Sequence, residues 1–161
     1  MESEIARMRA RNSKDLSFGT LHEISHLFDQ ERWLFEGEAL ANFKIPYALH
    51  ICGATAAPAD RSLDVRLNAK NFVEEMYRVD GRLEEDRGRF CASLAAKLIE
   101  IAETIGWNAV TKTFQTFPPI DSETRIRKFE IFISRLGEVS GFDVYAMISA
   151  REWEIIRREL V

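Results

Sequence analysis

Long apolar runs are missing from this sequence, and so is a cluster of cysteines. No segment approaches the roughly 20 apolar residues that a membrane-spanning helix needs, so no membrane insertion is predicted. The first 20 residues also lack the apolar centre of a secretory signal. This absence does not decide the compartment. The two cysteines, Cys52 and Cys91, form no CxxC pair and indicate two ordinary thiols rather than a disulfide or a cysteine metal site.

An excess of charge of either sign is missing as well. The 22 basic and 26 acidic residues leave a net charge of −4, which provides no broad positive field, so no nucleic-acid partner is predicted. Arg7, Arg9 and Arg11 fall in a polar stretch over 1–16 that is interpreted as a solvated leader or linker. The acidic patches at 74–75 and 84–86 lack the ligand spacing of a calcium loop and are interpreted as solvated surface.

Helical periodicity dominates what is present. A length of 161 residues with 46% hydrophobic content suits one domain over 1–161, with metal-site helices in 17–51 and supporting helices in 63–161. Apolar residues recur at spacings of three and four residues, which predicts an all-α, compact multi-helix domain without a strand pair. The predicted helices are 18–30 (capped by Ser17), 36–51 (interrupted or kinked near Pro46), 63–79, 89–105, 107–117, 122–136 (capped by Ser122), 144–149 and 153–160, with a loop over 53–62.

One helix carries the pattern H-E-x-x-H. His22 and His26 are four positions apart, which places them about 40° apart around a helix axis and one turn along it. Both imidazoles can therefore reach one metal ion, and neutral nitrogen ligands suit zinc. Glu23 follows the first histidine, where its carboxylate can take a proton from a water on the metal. The competing interpretation is that all three are ordinary polar residues on a half-exposed helix face.

The apolar residues around the motif favour the metal interpretation. Leu21, Ile24 and Phe28 are predicted to bury one face of the helix, which leaves the two histidines together on another.

A third ligand is expected from a carboxylate on the next helix. Glu38 is preferred because it opens the amphipathic run, with eleven residues between it and His26 and with Asn42 one turn later on the same face as a partner for a ligand. Glu36 and Glu31 are the alternatives, and a plain surface position for Glu38 also stays open.

The sequence resembles the enhancin-like and mucin-degrading zinc metallopeptidases, a gluzincin family. The first matching block runs over 19–47 and the second lies in the C-terminal half. Their shared features are the H-E-x-x-H helix, Trp33, Glu38, Asn42 and Tyr47 in the first block, and Gly106-Trp107, 127–136, 139–144 and Trp153 in the second. Ser25 stands where the family usually has glycine, and the β-rich segment that precedes the motif in the family has no counterpart here.

The resemblance implies the helical half of a zincin catalytic domain. It implies an enzyme, a zinc endopeptidase, in which His22, His26 and Glu38 bind Zn²⁺ and Glu23 is the general base. The implied substrate is protein, often glycoprotein, and other domains of a longer parent protein are implied partners. Tyr47 and His50 lie about 180° and 120° from Glu38 on a continuous helix, so the oxyanion-stabilising role is left unassigned.

Two other functions compete with this one. The first is a catalytically inactive helical interaction module derived from such a peptidase, which the absent β-rich segment favours. The second is a small regulator-cleaving H-E-x-x-H peptidase, in which a Glu-x-Glu-Ala segment like the one ending at Ala39 also follows the motif. The C-terminal Gly-Trp block argues against the second.

Overall fold

A computed structural model describes residues 16–58, 65–76, 83 and 87–161 of the chain. The described part is mostly helical, so the predicted all-α fold class is confirmed. Its helices are α1 (Phe18–His26), α2 (Gly37–Cys52), α3 (Ala69–Met76), α4 (Arg87–Ile105), α5 (Trp107–Gln115), α6 (Arg125–Ser140) and α7 (Ala150–Glu159), with 3-10 turns at Glu31–Trp33 and Tyr145–Met147. None of these helices is both long and apolar enough to cross a bilayer. The arginine-rich leader up to residue 15, the 59–62 end of the predicted loop and the acidic patch at 84–86 lie outside the described residues.

A strand pair is present where none was predicted. Strand β1 (Leu16–Ser17) pairs in parallel with β2 (Ala56–Ala57), and an isolated antiparallel bridge joins Ala56 to Leu67. Strands of two residues are too short for an alternating apolar pattern to appear in the sequence. The pair matters because it ties the chain before α1 to the chain after α2.

Side-chain hydroxyls cap the first turns of α1 and α6. Ser17 caps α1 as predicted, since its hydroxyl accepts from the Thr20 amide at 3.2 Å. The predicted cap Ser122 is wrong, because Thr124 has the extended backbone and accepts from the Arg127 amide instead. Helix α6 therefore starts later than predicted and continues to Ser140, where Gly141 at φ +76° ends it.

Helix α2 is continuous through Pro46, so of the predicted interruption or kink the interruption is wrong. Proline removes one backbone donor, but the residues around it are held by packing. Phe43, Ile45 and Leu49 are all at most 3% exposed. Tertiary burial of this kind commonly outweighs a local helix preference.

The core lies where α2 packs on α1 and α4. Leu40 and Phe43 from α2 and Leu94 and Leu98 from α4 are almost fully buried. Burying side chains of this size contributes roughly 1.5–3 kcal/mol each relative to exposure. The packing fixes α1 and α2 side by side, and this arrangement positions the site.

The segment that connects α1 to α2 is anchored from α6. Lys128 is 2% exposed, and its Nζ donates to both the carbonyl and the carboxylate of Glu31 at 2.6 Å. Arg125 donates from Nε to the Phe35 carbonyl at 2.8 Å. The Phe35 ring is itself buried against Phe129, with ring centroids 5.1 Å apart. The connection is therefore held rigidly, and with it the start of α2.

Candidate metal centre

The two histidines of the H-E-x-x-H motif lie on one face of α1. Their ring centroids are 4.8 Å apart and the rings are nearly perpendicular. The Nε2 atom of His22 lies 3.2 Å from the Nε2 atom of His26. The spacing of i and i+4 therefore brings both Nε2 atoms to one point, as the sequence predicted.

Glu38 reaches this point from the first turn of α2. Its Oε2 lies 3.0 Å from Nε2 of His22, and its Oε1 lies 3.6 Å from Nε2 of His26. The three side chains together offer ligand atoms that all lie within 4.8 Å of one another. The Glu38 side chain is 60% exposed, so the cluster is open to solvent on the α2 side.

The other glutamates considered as ligands are engaged elsewhere. Glu36 caps α2, since its Oε2 accepts from the Ala39 amide at 2.6 Å, and its Oε1 pairs with Arg125 at 3.4 Å. Glu31 pairs with the buried Lys128. Glu38 is thus the carboxylate that the fold brings to the histidines.

Each histidine is oriented through its second ring nitrogen. Nδ1 of His22 lies 2.9 Å from Oδ1 of Asn42, the partner that the spacing on α2 suggested. Nδ1 of His26 lies 3.2 Å from Oδ2 of Asp29. The sequence reasoning missed Asp29, although a carboxylate three residues beyond the second histidine was a signal for it.

These outer contacts determine which nitrogen atoms face the centre of the cluster. An ionised carboxylate only accepts hydrogen bonds, so Asp29 places the hydrogen of neutral His26 on Nδ1. The Asn42 carbonyl oxygen does the same for His22. Two imidazole lone pairs and a carboxylate then converge on one point, an arrangement that a cation or a shared proton among them would stabilise.

The dimensions of the cluster fit zinc. A tetrahedral zinc ion with bonds of about 2.0–2.1 Å holds its ligand atoms roughly 3.4 Å apart. The two Nε2 atoms are 3.2 Å apart, Oε2 of Glu38 is 3.0 Å from Nε2 of His22, and Oε1 of Glu38 is 3.6 Å from Nε2 of His26, all near that value. A set of two imidazoles and one carboxylate is typical of catalytic zinc sites that keep one position for water.

No protein-family model, curated protein or solved structure matches this chain. The chemistry of the cluster therefore carries the functional argument by itself.

Glu23 follows His22 on α1 and is exposed. Its carboxylate is therefore free of the core.

The apolar side of α1 differs from the prediction that it is buried. Ile24 is 39% exposed and Phe28 is 66% exposed. Together with Leu21 they line an open apolar cavity of about 410 Å³, whose other walls include Trp107 and Phe114 of α5. The prediction was wrong because the spacing of apolar residues shows only which of them share a helix face. Whether that face is covered depends on how closely the neighbouring helix packs against it.

Tyr47 and His50, which were considered for oxyanion stabilisation, are not part of the cluster of His22, His26 and Glu38. The Tyr47 hydroxyl lies 2.9 Å from the Thr111 hydroxyl, and its ring packs 5.4 Å from Trp107. His50 is exposed in the last turn of α2. The oxyanion role stays unassigned.

Cys91 lies near the cluster without being suited to bind metal. Burial raises the pKa of its thiol, the charge and hydrogen bond of Glu36 and the charge of Glu38 raise it further, and the result is about 12. Zinc binds the thiolate, so this thiol would first have to lose its proton, and among the described residues the ligand atoms that converge belong to His22, His26 and Glu38. This leaves the nitrogen and oxygen donors of the histidines and Glu38.

Proposed function

We propose that this chain is a zinc-binding hydrolase domain of the gluzincin type that cleaves peptide bonds. His22, His26 and Glu38 would hold the ion, and Glu23 would act as general base. The observation that carries the proposal is the convergence of the two Nε2 atoms with the Glu38 carboxylate, at 3.0 to 3.6 Å. The outer contacts of both Nδ1 atoms support it, because each leaves the metal-binding nitrogen free.

The side chains have separate tasks in this proposal. Zinc, when bound, supplies a Lewis acid that polarises a carbonyl and lowers the pKa of water. Glu23 accepts a proton from the attacking water and passes it to the leaving amine. Asn42 and Asp29 keep the two imidazoles in one tautomer and one orientation. The exposure of Glu38 leaves room for a polypeptide to approach.

The relation to the enhancin-like and mucin-degrading metallopeptidases is part of the proposal. Ser25, which stands in place of the usual glycine, is buried and its hydroxyl donates to the Leu21 carbonyl at 2.7 Å. Helix α1 accommodates this serine without distortion of the motif. The proposed substrate is a protein or glycoprotein, and other domains of a longer parent protein are proposed partners that complete the cleft.

A second candidate function is an inactive helical interaction module. The observation that favours it is the exposure of Ile24 on the motif helix and of Leu27 and Phe28 just beyond its end, at 39%, 81% and 66%. Adjacent exposed apolar side chains of this kind often mark a protein contact. The same residues would also serve an active enzyme that docks a further domain, so activity decides between the two.

Glu23→Gln tests the enzymatic function most specifically. The variant keeps the size of the side chain but removes the base, so zinc content should match the parent while hydrolysis of a denatured protein substrate falls by about a hundredfold or more. Gln30→Glu, an exposed change just beyond α1, is the matched surface control and should leave zinc content and hydrolysis unchanged. Full activity in Glu23→Gln would refute the base assignment. An inactive parent that still binds zinc, tested with its complete sequence, would favour the interaction module.

A further inference from the structure

We propose that Asp29 is a positioning residue for the metal ligand His26, and that Lys44 is the anchor that holds Asp29 in place. The inference rests on the proposed zinc site and adds two residues to it. It concerns a chain of contacts that starts at the Nδ1 atom of His26 and ends on α2.

The contacts are continuous across the helix interface. His26 donates from Nδ1 to Oδ2 of Asp29 at 3.2 Å, and Lys44 donates from Nζ to Oδ1 of the same carboxylate at 2.5 Å. The Asp29 side chain is 13% exposed and that of Lys44 is 22% exposed. Each oxygen of the carboxylate thus has its own partner, and the ring of His26 cannot turn without breaking one contact.

Lys44 also holds the backbone of the motif helix. Its Nζ donates to the Ser25 carbonyl at 2.6 Å, one residue before His26. One ammonium group therefore fixes both the backbone next to the ligand and the acceptor of its ring. Glu38, Asn42 and Lys44 all belong to α2, so this helix supplies the third ligand and supports both histidines.

The surroundings strengthen this ion pair. Asp29 and Lys44 lie at the edge of the apolar cavity, beside Phe28 and Phe43. Reduced contact with water makes a charge-assisted hydrogen bond stronger than it would be on an open surface. A carboxylate behind a metal-bound histidine also fixes its tautomer and strengthens it as a ligand.

A purely local role explains Asp29 poorly. It lies just beyond the C-terminal end of α1, where the helix dipole favours positive rather than negative charge. The carboxylate is acceptable there because Lys44 and His26 face it. Nδ1 of His22 faces the neutral amide of Asn42 instead, so the two ligands are supported unequally and His26 is expected to be the stronger donor.

The test measures zinc affinity by competition with a chromophoric chelator for the parent, Asp29→Asn, Asp29→Ala and Lys44→Gln. Both Asp29 variants should bind zinc about 10- to 100-fold more weakly, and Lys44→Gln should also bind more weakly than the parent. Asp121→Asn, an exposed change in the turn before α6, should bind as the parent does. Cobalt(II) absorption spectra should shift for the Asp29 variants, since a change in the strength of His26 alters the ligand field. Parent-like affinity and spectra in Asp29→Asn and Asp29→Ala would overturn the positioning role.

A second readout needs no metal. Nitrogen-15 shifts of the imidazoles in the zinc-free chain report the tautomer of His26, which should be the Nδ1–H form in the parent and a mixture in Asp29→Ala. A parent chain that binds no zinc but keeps this dependence on Asp29 would refute the proposed function alone. A mixed tautomer in the parent would overturn the inference itself.

Discussion

Glu38 and His22 meet across the interface of α1 and α2, with Oε2 of the carboxylate 3.0 Å from Nε2 of the imidazole. Sixteen positions separate them in the sequence. The connection between the helices is fixed by Lys128 and Arg125 from α6, so the meeting is a property of the fold rather than of the motif alone.

The first prediction contrasts two neighbouring glutamates. Glu38→Gln removes a proposed ligand charge and should weaken zinc binding strongly while changing stability little. Glu36→Gln should leave zinc binding close to the parent but lower the free energy of unfolding by about 1 kcal/mol, because Glu36 caps α2 and pairs with Arg125. Zinc titration and urea unfolding of both variants measure the contrast. The reverse pattern would assign the ligand to Glu36.

The second prediction concerns the cysteines. At pH 8 an alkylating reagent should modify the exposed Cys52 and leave Cys91 intact, because the pKa of Cys91 is raised to about 12 and its thiolate is scarcely populated. Mass spectrometry of the folded chain after brief alkylation measures how much of each cysteine has been modified. In urea both should react. Rapid labelling of Cys91 in the folded chain would contradict its environment.

The third prediction concerns a buried ion pair between α4 and α7. Lys97 and Glu152 are 3.1 Å apart, with side chains 9% and 11% exposed. Lys97→Met should lower the free energy of unfolding by about 3–5 kcal/mol, since it leaves a buried carboxylate without its cation. Glu154→Gln breaks the exposed pair with Arg151 and should change the free energy of unfolding by less than about 0.5 kcal/mol. Equal effects of the two changes would contradict the structure.

The same pair gives a pH dependence. Burial of Glu152 would raise its pKa, but hydrogen bonds from Ser149 and Lys97 outweigh burial and lower the pKa below the usual 4.5. Stability from this carboxylate is therefore present above pH 4.5 and is lost as the pH falls through the lower folded value. Burial would lower the pKa of Lys97, but hydrogen bonds and charges of Glu100 and Glu152 outweigh burial and raise it above the usual 10.5. The contribution of Lys97 to stability is therefore lost only as the pH rises beyond that value. Unfolding curves of the parent and Lys97→Met should converge in acid.

The fourth prediction uses the apolar cavity beside α1. Phe28→Ser should change the free energy of unfolding by less than about 0.5 kcal/mol, because Phe28 is largely exposed. Leu40→Ala, on the buried side of the same cavity, should cost roughly 2–5 kcal/mol. Thermal unfolding of the two variants tests this. A large loss for Phe28→Ser would mean that the exposed stripe is covered in solution.

The sequence predicted the parts of the site that depend on local spacing. The i and i+4 histidines and the Glu38 and Asn42 pair follow from helix geometry, because residues one turn apart share a face. Asp29 was missed although it lies three residues beyond His26, a spacing at which side chains can meet, and α1 ends at His26 instead of continuing to Gln30. The exposure of Ile24 and the continuity of α2 through Pro46 depend on packing between helices, which periodicity does not encode.

Metal analysis of the purified chain tests the central claim most directly. The parent should contain close to one zinc per molecule after dialysis against metal-free buffer, and His22→Ala and His26→Ala should contain almost none. His50→Ala, which changes the exposed histidine outside the cluster, should keep the parent's content. A parent chain that stays free of zinc when the ion is supplied, or a His22→Ala variant with undiminished zinc, would contradict the account.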